Sequence, residues 1–490
     1  MKLNGSVSTI GPMARTAIAT SRNRRTRRQG TRIETRCVMG EGGWERRSAT
    51  ASPRAVLATM QPVYHLPSNL FEVPVAVFLQ AHRALCWVGV ALTALVAQPL
   101  CAPLPAQGRV RLGIEVLLTD SIHLVSGKRV GLITNHTGVT PDGRSSIDLL
   151  HRARGVRLTA LFAPEHGIRG QAEAGERIDA TVDSATGVPV YSLYGETRVP
   201  TADMLKDVDV VLYDIQDVGA RVYTYQWTMA LSAAAVTAHG RTFIVLDRPN
   251  PIRGDRVEGG VLDEQYRSFV GQFPVALRYG LTPGELIRYL VGSGQVKAAV
   301  KVVPMAGWRR NMWWQQTGLP WRNPSPNIRS VDAALLYTGT VFFEGTNLSE
   351  GRGTPRPFQL VGAGWLKDAG EIARELNTRR IPGVVFDSTL VTVETGQKWG
   401  DQRIPMIAVA VSARDEVQPY RVGLEMLRAI YGRHKGEFQW RTWSIDRLSG
   451  SGRVRTAIEL DGIEALILEL ERESREFQER SSQYLIYPPL

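Results

Sequence analysis

The sequence predicts an α/β protein: a parallel-sheet domain with helices on its faces, followed by a second, smaller α/β domain. Three observations predict it. From residue 107 onward, short runs of Val, Ile and Leu alternate with helical patterns, the signature of βαβ units. The runs are apolar throughout, as strands buried on both faces require. Each run then ends in a polar loop punctuated by Gly or Pro, and it is beyond the carboxyl ends of such strands that open α/β sheets bind ligands.

Taken in order, Arg129–Thr134 (RVGLIT) reads as a buried strand, and Ser145–Arg154 as a helix with Ile147, Leu149 and Leu150 on its apolar side. Leu158–Phe162, Val208–Ile215 and Thr242–Leu246 read as three further strands, with an Ala-rich helix at Thr228–His239 between the last two. The charged, Gly-rich stretch 253–262 marks a boundary, giving a first domain over 107–265 and a second over 266–490. In the second, Thr282-Pro283-Gly284-Glu285 starts a helix that runs through Val291, because Pro and an acidic residue belong in a first turn. A Trp-rich stretch from Trp308 to Trp321 leads to N-P-S-P-N at 323–327, and Tyr337–Asn347 runs into L-S-E-G-R-G-T at 348–354. Strands at Gly383–Thr392 and Pro405–Ser412 and helices at Arg421–Tyr431 and Gly462–Arg475 complete the domain. The groove between the two domains is the expected ligand site.

Residues 1–106 read differently. The net charge of +12 invites a nucleic-acid partner, but +9 of it lies in this extension, where 13 basic residues face 4 acidic ones. A nucleic-acid footprint belongs on the folded body, so no such partner is expected. Ser21–Arg36 carries seven arginines with little apolar periodicity and reads as a disordered, Arg-rich segment, and Met60 offers a later start. Ala84–Ala97 (ALCWVGVALTALVA) follows His82-Arg83 and precedes a small, Pro-rich exit. That order matches a secretory signal peptide, with cleavage near Ala106. Fourteen residues are short for a span that needs about 20, so stable membrane insertion after cleavage is not expected; a retained N-terminal anchor is the alternative. The expected location is periplasmic or extracellular. All three cysteines, Cys37, Cys86 and Cys101, lie in the extension. A cysteine-free body excludes a catalytic thiol, an Fe–S cluster and a Cys-ligated zinc.

The body also lacks a dinucleotide G-x-G-x-x-G, a P-loop, an H-E-x-x-H and a G-x-S-x-G elbow. Polar strand ends remain. They read Asn135-His136-Thr137-Gly138, then Ala163-Pro164-Glu165-His166-Gly167, then Gln216-Asp217-Val218-Gly219-Ala220-Arg221, then Asp247-Arg248-Pro249-Asn250-Pro251. Any one of these is an ordinary turn, but four in succession carrying Glu, His, Asp and Arg point to a site. Glycoside hydrolysis needs a proton donor and usually a second carboxylate or an assisting substrate group. Glu165, at a strand end, suits the donor if a groove wall raises its pKa. Glu344 and Glu350 flank the second-domain loop, and for each an ion pair to Arg352 or Arg356 is the plain alternative. His136, His166, Asp214 and Asp217 are ligand types for a divalent metal, but their spacing matches no ligand motif, so neither a metal nor an organic cofactor is expected.

At these residues the sequence resembles the exo-β-N-acetylmuramidases of the NamZ type, YbbC-like proteins long catalogued as a domain of unknown function. The resemblance is carried by L-I-T-N-H-T-G at 132–138, F-A-P-E-H-G-I-R-G at 162–170, D-I-Q-D-V-G-A-R-V-Y-T-Y at 214–225, L-D-R-P-N-P at 246–251 and F-F-E-G-T-N-L-S-E-G-R-G-T at 342–354, and it runs from about Gly113 to the C-terminus. It implies a Rossmann-like first domain, a smaller second domain and an active site in the cleft between them. It also implies exo-acting release of N-acetylmuramic acid from the non-reducing ends of peptidoglycan fragments, so the expected partners are muramyl saccharides; no oligomeric state is implied. By resemblance Glu165 is the general acid/base. Glu344 is the expected second catalytic carboxylate, with Glu350 in reserve. Arg169, Arg221 and Arg352 are candidates to hold the lactyl carboxylate, since Arg binds carboxylates bidentately. Asn135, His136, His166, Asp214, Asp217, Tyr225 and Asn250 are candidates for the remaining substrate contacts. Two other readings stay open: a non-catalytic binder of peptidoglycan sugars, and a metal-dependent esterase or deacetylase on wall sugars.

Overall fold

The computed structural model describes residues 108–164, 167–168, 181–195 and 197–488. Its first half is built on a seven-stranded sheet. The strands are β1 (Arg129–Thr134), β2 (Arg157–Ala163), β3 (Thr181–Val182), β4 (Pro189–Ser192), β5 (Val210–Asp214), β6 (Thr242–Leu246) and β9 (Val300–Val303), in the order β3-β4-β2-β1-β5-β6-β9. All pairs are parallel except β3 with β4. Without β3, the parallel strands taken in chain order are arranged 3-2-1-4-5-6, the doubly wound, Rossmann-like order. The chain therefore reverses direction across the sheet between β1 and β5, and their carboxyl ends flank a topological switch point.

The apolar runs form the strands the sequence predicts. β5 is buried along its whole length and β1 at every residue but the first. β5 starts two residues later than expected because Asp209 turns aside: its carboxylate accepts from Arg129 N at 2.9 Å and its amide donates to Arg129 O at 2.8 Å. Helix α3 (Tyr225–Ala238; α1 is Gly113–Asp120 and α2 Ser146–Arg152) starts three residues earlier than expected. Y-T-Y-Q-W at 223–227 is rich in strand formers, but burying Tyr225 and Trp227 overrides that preference. β9 (VKVV) was not among the expected strands. It is short and half-exposed, so its hydrophobic signal is weak, and it carries the first sheet past residue 265.

A ribbon of β7 (Glu258–Val261) and β8 (Ala276–Arg278) and helix α4 (Pro283–Gly292) precede β9. The second half starts with α5 (Val331–Thr340) and a 3₁₀ turn over 341–345. A three-stranded antiparallel sheet follows, ordered β10 (Leu360–Gly362), β12 (Arg403–Val411), β11 (Val384–Thr392). Helix α6 (Ala369–Thr378) packs on β11 and β12, and α7 (Pro419–Arg433) packs on α5. Helices α8 (Thr442–Ser449), α9 (Arg453–Glu459) and α10 (Ile463–Ser482) close the chain, with α10 lying on β7. One apolar core runs through both halves, joining Leu132, Leu212 and Ile244 of the first sheet to Leu335, Phe342 and Leu424. No helix among the described residues is long and apolar enough to cross a membrane.

Buried polar ties fix the chain end onto the first half. Glu285, fully buried in the first turn of α4, pairs with Arg310 at 2.6 Å and accepts from the amides of Thr282, Ile486 and Tyr487 at 3.0, 3.0 and 3.3 Å. The Tyr487 hydroxyl donates to Asp247 at 2.7 Å and accepts from Met305 N at 2.8 Å. Removing one partner of a buried, fully bonded ion pair leaves the other charge uncompensated. Glu285→Ala is therefore expected to lower the unfolding free energy by about 3–5 kcal/mol in urea titration; a loss below about 1 kcal/mol, the range of exposed pairs, would contradict this.

Candidate functional site

The switch point is held by a buried ion pair. Asp214, the last residue of β5, faces Arg248 with Nε–Oδ1 at 2.5 Å and Nη2–Oδ2 at 3.0 Å, and both side chains are almost fully buried. The Ser146 hydroxyl also donates to Asp214, and Arg248 donates to Val139 O at 3.2 Å. Both Asp214 oxygens are thus engaged, so this expected substrate contact is part of the scaffold. The side-chain oxygens of the two asparagines behave alike, while Asn135 Nδ2 has no partner among the described residues. Asn135 Oδ1 accepts from the Thr137 amide and hydroxyl at 2.9 and 2.6 Å, and Asn250 bonds Leu281 O at 2.9 Å and Ile252 N at 3.1 Å. Asx turns of this kind shape strand ends. Two glycines complete the packing. A Cβ on Gly138 would lie 2.0 Å from Thr134 Oγ1, and one on Gly219 (φ +79°) would lie 2.5 Å from Asn250 Oδ1. His136 bonds Asn323 O at 2.8 Å, tying the first strand end to the 323–327 loop. Among the described residues no three His, Cys, Asp or Glu side chains converge as metal ligands.

Two further predicted residues lie buried. Asp217 Oδ2 accepts from Gly219 N at 2.8 Å and from the Tyr279 hydroxyl, while Oδ1 has no partner among the described residues. Burial pushes its pKa up to about 7 against the backbone amides that favour the charged form. Arg221 donates from Nη2 to Leu448 O at 3.0 Å, its Nε and Nη1 have no partner among the described residues, and burial lowers its pKa to about 10.

The open cleft gathers three more, Tyr225, Glu344 and Arg352. It measures about 640 Å³ and is lined by Tyr223, Tyr225, Ser325, Asn327, Tyr337, Glu344 and Arg352, so both halves of the chain contribute. Its aromatic wall is a series of edge-on steps: Tyr225 to Tyr223 at 4.9 Å, Tyr223 to Tyr337 at 6.3 Å, Tyr337 to Phe358 at 4.7 Å. The Arg352 guanidinium lies over Phe358 at 5.1 Å. A line of alternating charge runs back from the rim: Glu344 to Arg352 at 2.7 Å, Arg352 to Glu350 at 3.1 Å, Glu350 to Lys398 at 3.0 Å. Burial raises the pKa of Glu344 even though Arg352 opposes it. Burial acts to lower that of Arg352, but Glu344 and Glu350 outweigh it and the net shift is upward. Only Nε and Nη2 of Arg352 engage these carboxylates; its side chain is 29 % exposed, and Nη1 has no carboxylate partner among the described residues. A larger groove of about 1020 Å³, lined by Glu258, Arg278, Trp313, Asp415 and Tyr420, holds none of the predicted residues among those described.

Of the predicted residues, Tyr225, Glu344 and Arg352 meet in the cleft, and Glu350 stands behind Arg352. Glu165, His166 and Arg169 lie outside the described residues. Sequence reasoning missed Tyr337 and Lys398. Tyr337 heads the Tyr337–Asn347 segment that holds Glu344 and was open to recognition. Lys398 sits in the loop between β11 and β12, where a lone lysine reads as a solvated charge.

The chain was compared with known proteins. Residues 130–332 match the family model described as exo-β-N-acetylmuramidase NamZ, N-terminal, and residues 335–487 match its C-terminal counterpart. The chain is 42 % identical over 381 residues to the peptidoglycan β-N-acetylmuramidase NamZ of Bacillus subtilis (strain 168), covering 77 % of this chain and 92 % of that protein. Two solved DUF1343 family proteins of Bacteroides fragilis share the fold, with TM-scores of 0.73 and 0.62 at 36 % and 28 % identity. Each alignment covers 78 % of this chain and 99 % of theirs.

The raised pKa of Asp217 has a thermodynamic consequence. Burial holds Asp217 and Asp247 near 7 in the folded chain, against about 3.9 when unfolded. Between those values the folded state binds more protons, so unfolding free energy falls as pH rises from about 4 to 7 and levels off above. Asp217→Asn removes one such contribution. Its denaturant-derived stability is expected to fall less steeply than wild type over that range; parallel curves would contradict the assignment.

Proposed function

The chain belongs to the exo-β-N-acetylmuramidase NamZ family, and from that membership we propose its reaction: exo-acting release of N-acetylmuramic acid from the non-reducing ends of peptidoglycan fragments. It is a glycoside hydrolase. The observation that carries this is the 42 % identity that extends over 92 % of a peptidoglycan β-N-acetylmuramidase, so both halves of that enzyme have counterparts here.

The roles within the site are ours to propose. Glu165 follows the carboxyl end of β2 by two residues and acts as general acid/base. Glu344 is the second carboxylate. Its contact with Arg352 favours the ionised form that an oxocarbenium-like transition state requires nearby. Arg352 takes the lactyl carboxylate through Nη1, a charge-assisted bond. Tyr223, Tyr225 and Tyr337 form the wall against which the pyranose ring packs. Asp214, Asn135 and Asn250 act indirectly by holding the loops. We also place the reaction outside the cytoplasm, because residues 82–106 have the order of a secretory signal and the substrate is cell wall.

The test is hydrolysis of a chromogenic β-N-acetylmuramide, with and without chelator, by wild type and by Glu165→Gln. Wild type is expected to release the chromophore regardless of chelator, and Glu165→Gln to lose roughly 10²–10⁴ in rate. Binding without release by folded wild type would point to the sugar-binding alternative, and chelator-sensitive release to the metal-dependent one.

A further inference from the structure

The rim of the cleft depends on a side chain that does not line it. Lys398 Nζ lies 2.9 Å from Phe343 O, 2.9 Å from Leu348 O, 3.2 Å from Thr346 O and 3.3 Å from Glu344 O, and 3.0 Å from Glu350 Oε2. Five oxygens thus surround one ammonium that has only three protons to donate. Its side chain is 18 % exposed, and burial lowers its pKa against the pull of Glu350. The next residue adds a second tie, since Trp399 Nε1 donates to Asn347 O at 2.9 Å.

The local fold explains the ring. The 3₁₀ turn ends at Gly345; Phe343 O accepts from the Thr346 amide at 3.1 Å and the Thr346 hydroxyl at 2.9 Å, and Lys398 adds a further donor there. The chain then curls so that the carbonyls of residues 343, 344, 346 and 348 point to one spot. Four converging dipoles repel one another unless a cation sits among them, and a ring of backbone carbonyls is how proteins replace the water shell of a monovalent cation. The β11–β12 loop brings that cation on a tether.

We propose that Lys398 is a positioning residue, a tethered ammonium in a monovalent-cation cage that holds the 343–350 loop so that Glu344 and Arg352 face the substrate. The proposal rests on the muramidase reading for its kinetic arm only. Lys398 neutralises Glu350, so Glu350 and Glu344 share Arg352 between them. Without the ammonium, Glu350 competes for Arg352 with full charge, and Glu344 loses both its backbone anchor at the cage and the field that helps keep it ionised.

Two variants of the full chain test this. Lys398→Met keeps much of the length and removes the charge. It is expected to lose kcat on a chromogenic β-N-acetylmuramide on the order of 10²-fold, the scale of a small misplacement of reacting groups, with KM changed far less. Lys398→Ala empties the cage. Ammonium or methylammonium chloride, at constant ionic strength, is expected to raise its melting temperature and restore part of its activity, whereas tetramethylammonium, which has no N–H to donate, does neither. The melting arm reads the cage without reference to the reaction, and wild-type turnover tests the muramidase reading separately. Wild-type kcat in Lys398→Met overturns the proposal, as do equal effects of ammonium and tetramethylammonium on Lys398→Ala.

Discussion

The buried pair of Asp214 and Arg248 is the constraint on which the rest of the site depends. It joins the end of β5 to the segment after β6, takes a hydrogen bond from the start of α2, and reaches Val139 in the loop after β1. Those are the segments that meet at the switch point of the sheet. Two charges removed from water repay their desolvation only when nearly every donor and acceptor finds a partner, so the pair tolerates little displacement. That intolerance fixes the direction in which each loop leaves the sheet. The N-H-T-G and D-V-G-A-R motifs therefore make best sense as a frame, with Gly138 and Gly219 present because a side chain would collide with the frame itself.

The cleft is built outward from this frame by two unlike devices. The first half supplies rigid aromatic groups: Tyr223 precedes α3 and Tyr225 opens it, and their rings are fixed by edge-on contacts and by the Tyr225 hydroxyl, which donates to Pro324 O at 3.2 Å. The second half supplies charge on a loop with little regular structure of its own. Ion pairs and a ring of carbonyls around Lys398 hold that loop together with isolated backbone bridges, such as Ser349 N to Gly362 O at 2.8 Å. The shared apolar core and the ties of Glu285 and Tyr487 keep the two halves in register. A saccharide needs both contributions, an apolar face for the ring and directed polar groups for its substituents.

Much of this was legible in the sequence. β1 and β6 fall at the expected residues because a fully buried parallel strand is an unbroken apolar run. The five motifs identified the family, and Glu344 and Arg352 stood out as charges in a Gly-rich loop. β9 did not stand out, because an edge strand with an exposed Lys301 has half the apolar signal. Asp214, Asn135 and Asn250 were visible as polar strand ends, but burial turns their atoms inward, and burial is a tertiary property. Lys398 was illegible for the same reason. Nothing near residue 398 encodes the converging carbonyls some fifty residues away that give it a role.

We propose that the sugar binds in the cleft lined by Tyr223, Tyr225, Tyr337, Glu344 and Arg352. A crystal structure with N-acetylmuramic acid bound tests it most directly. The pyranose ring is expected against the tyrosine wall, with the lactyl carboxylate within hydrogen-bonding distance of Arg352. Sugar found instead in the groove between Glu258, Arg278 and Tyr420, with the tyrosine cleft empty, would contradict it.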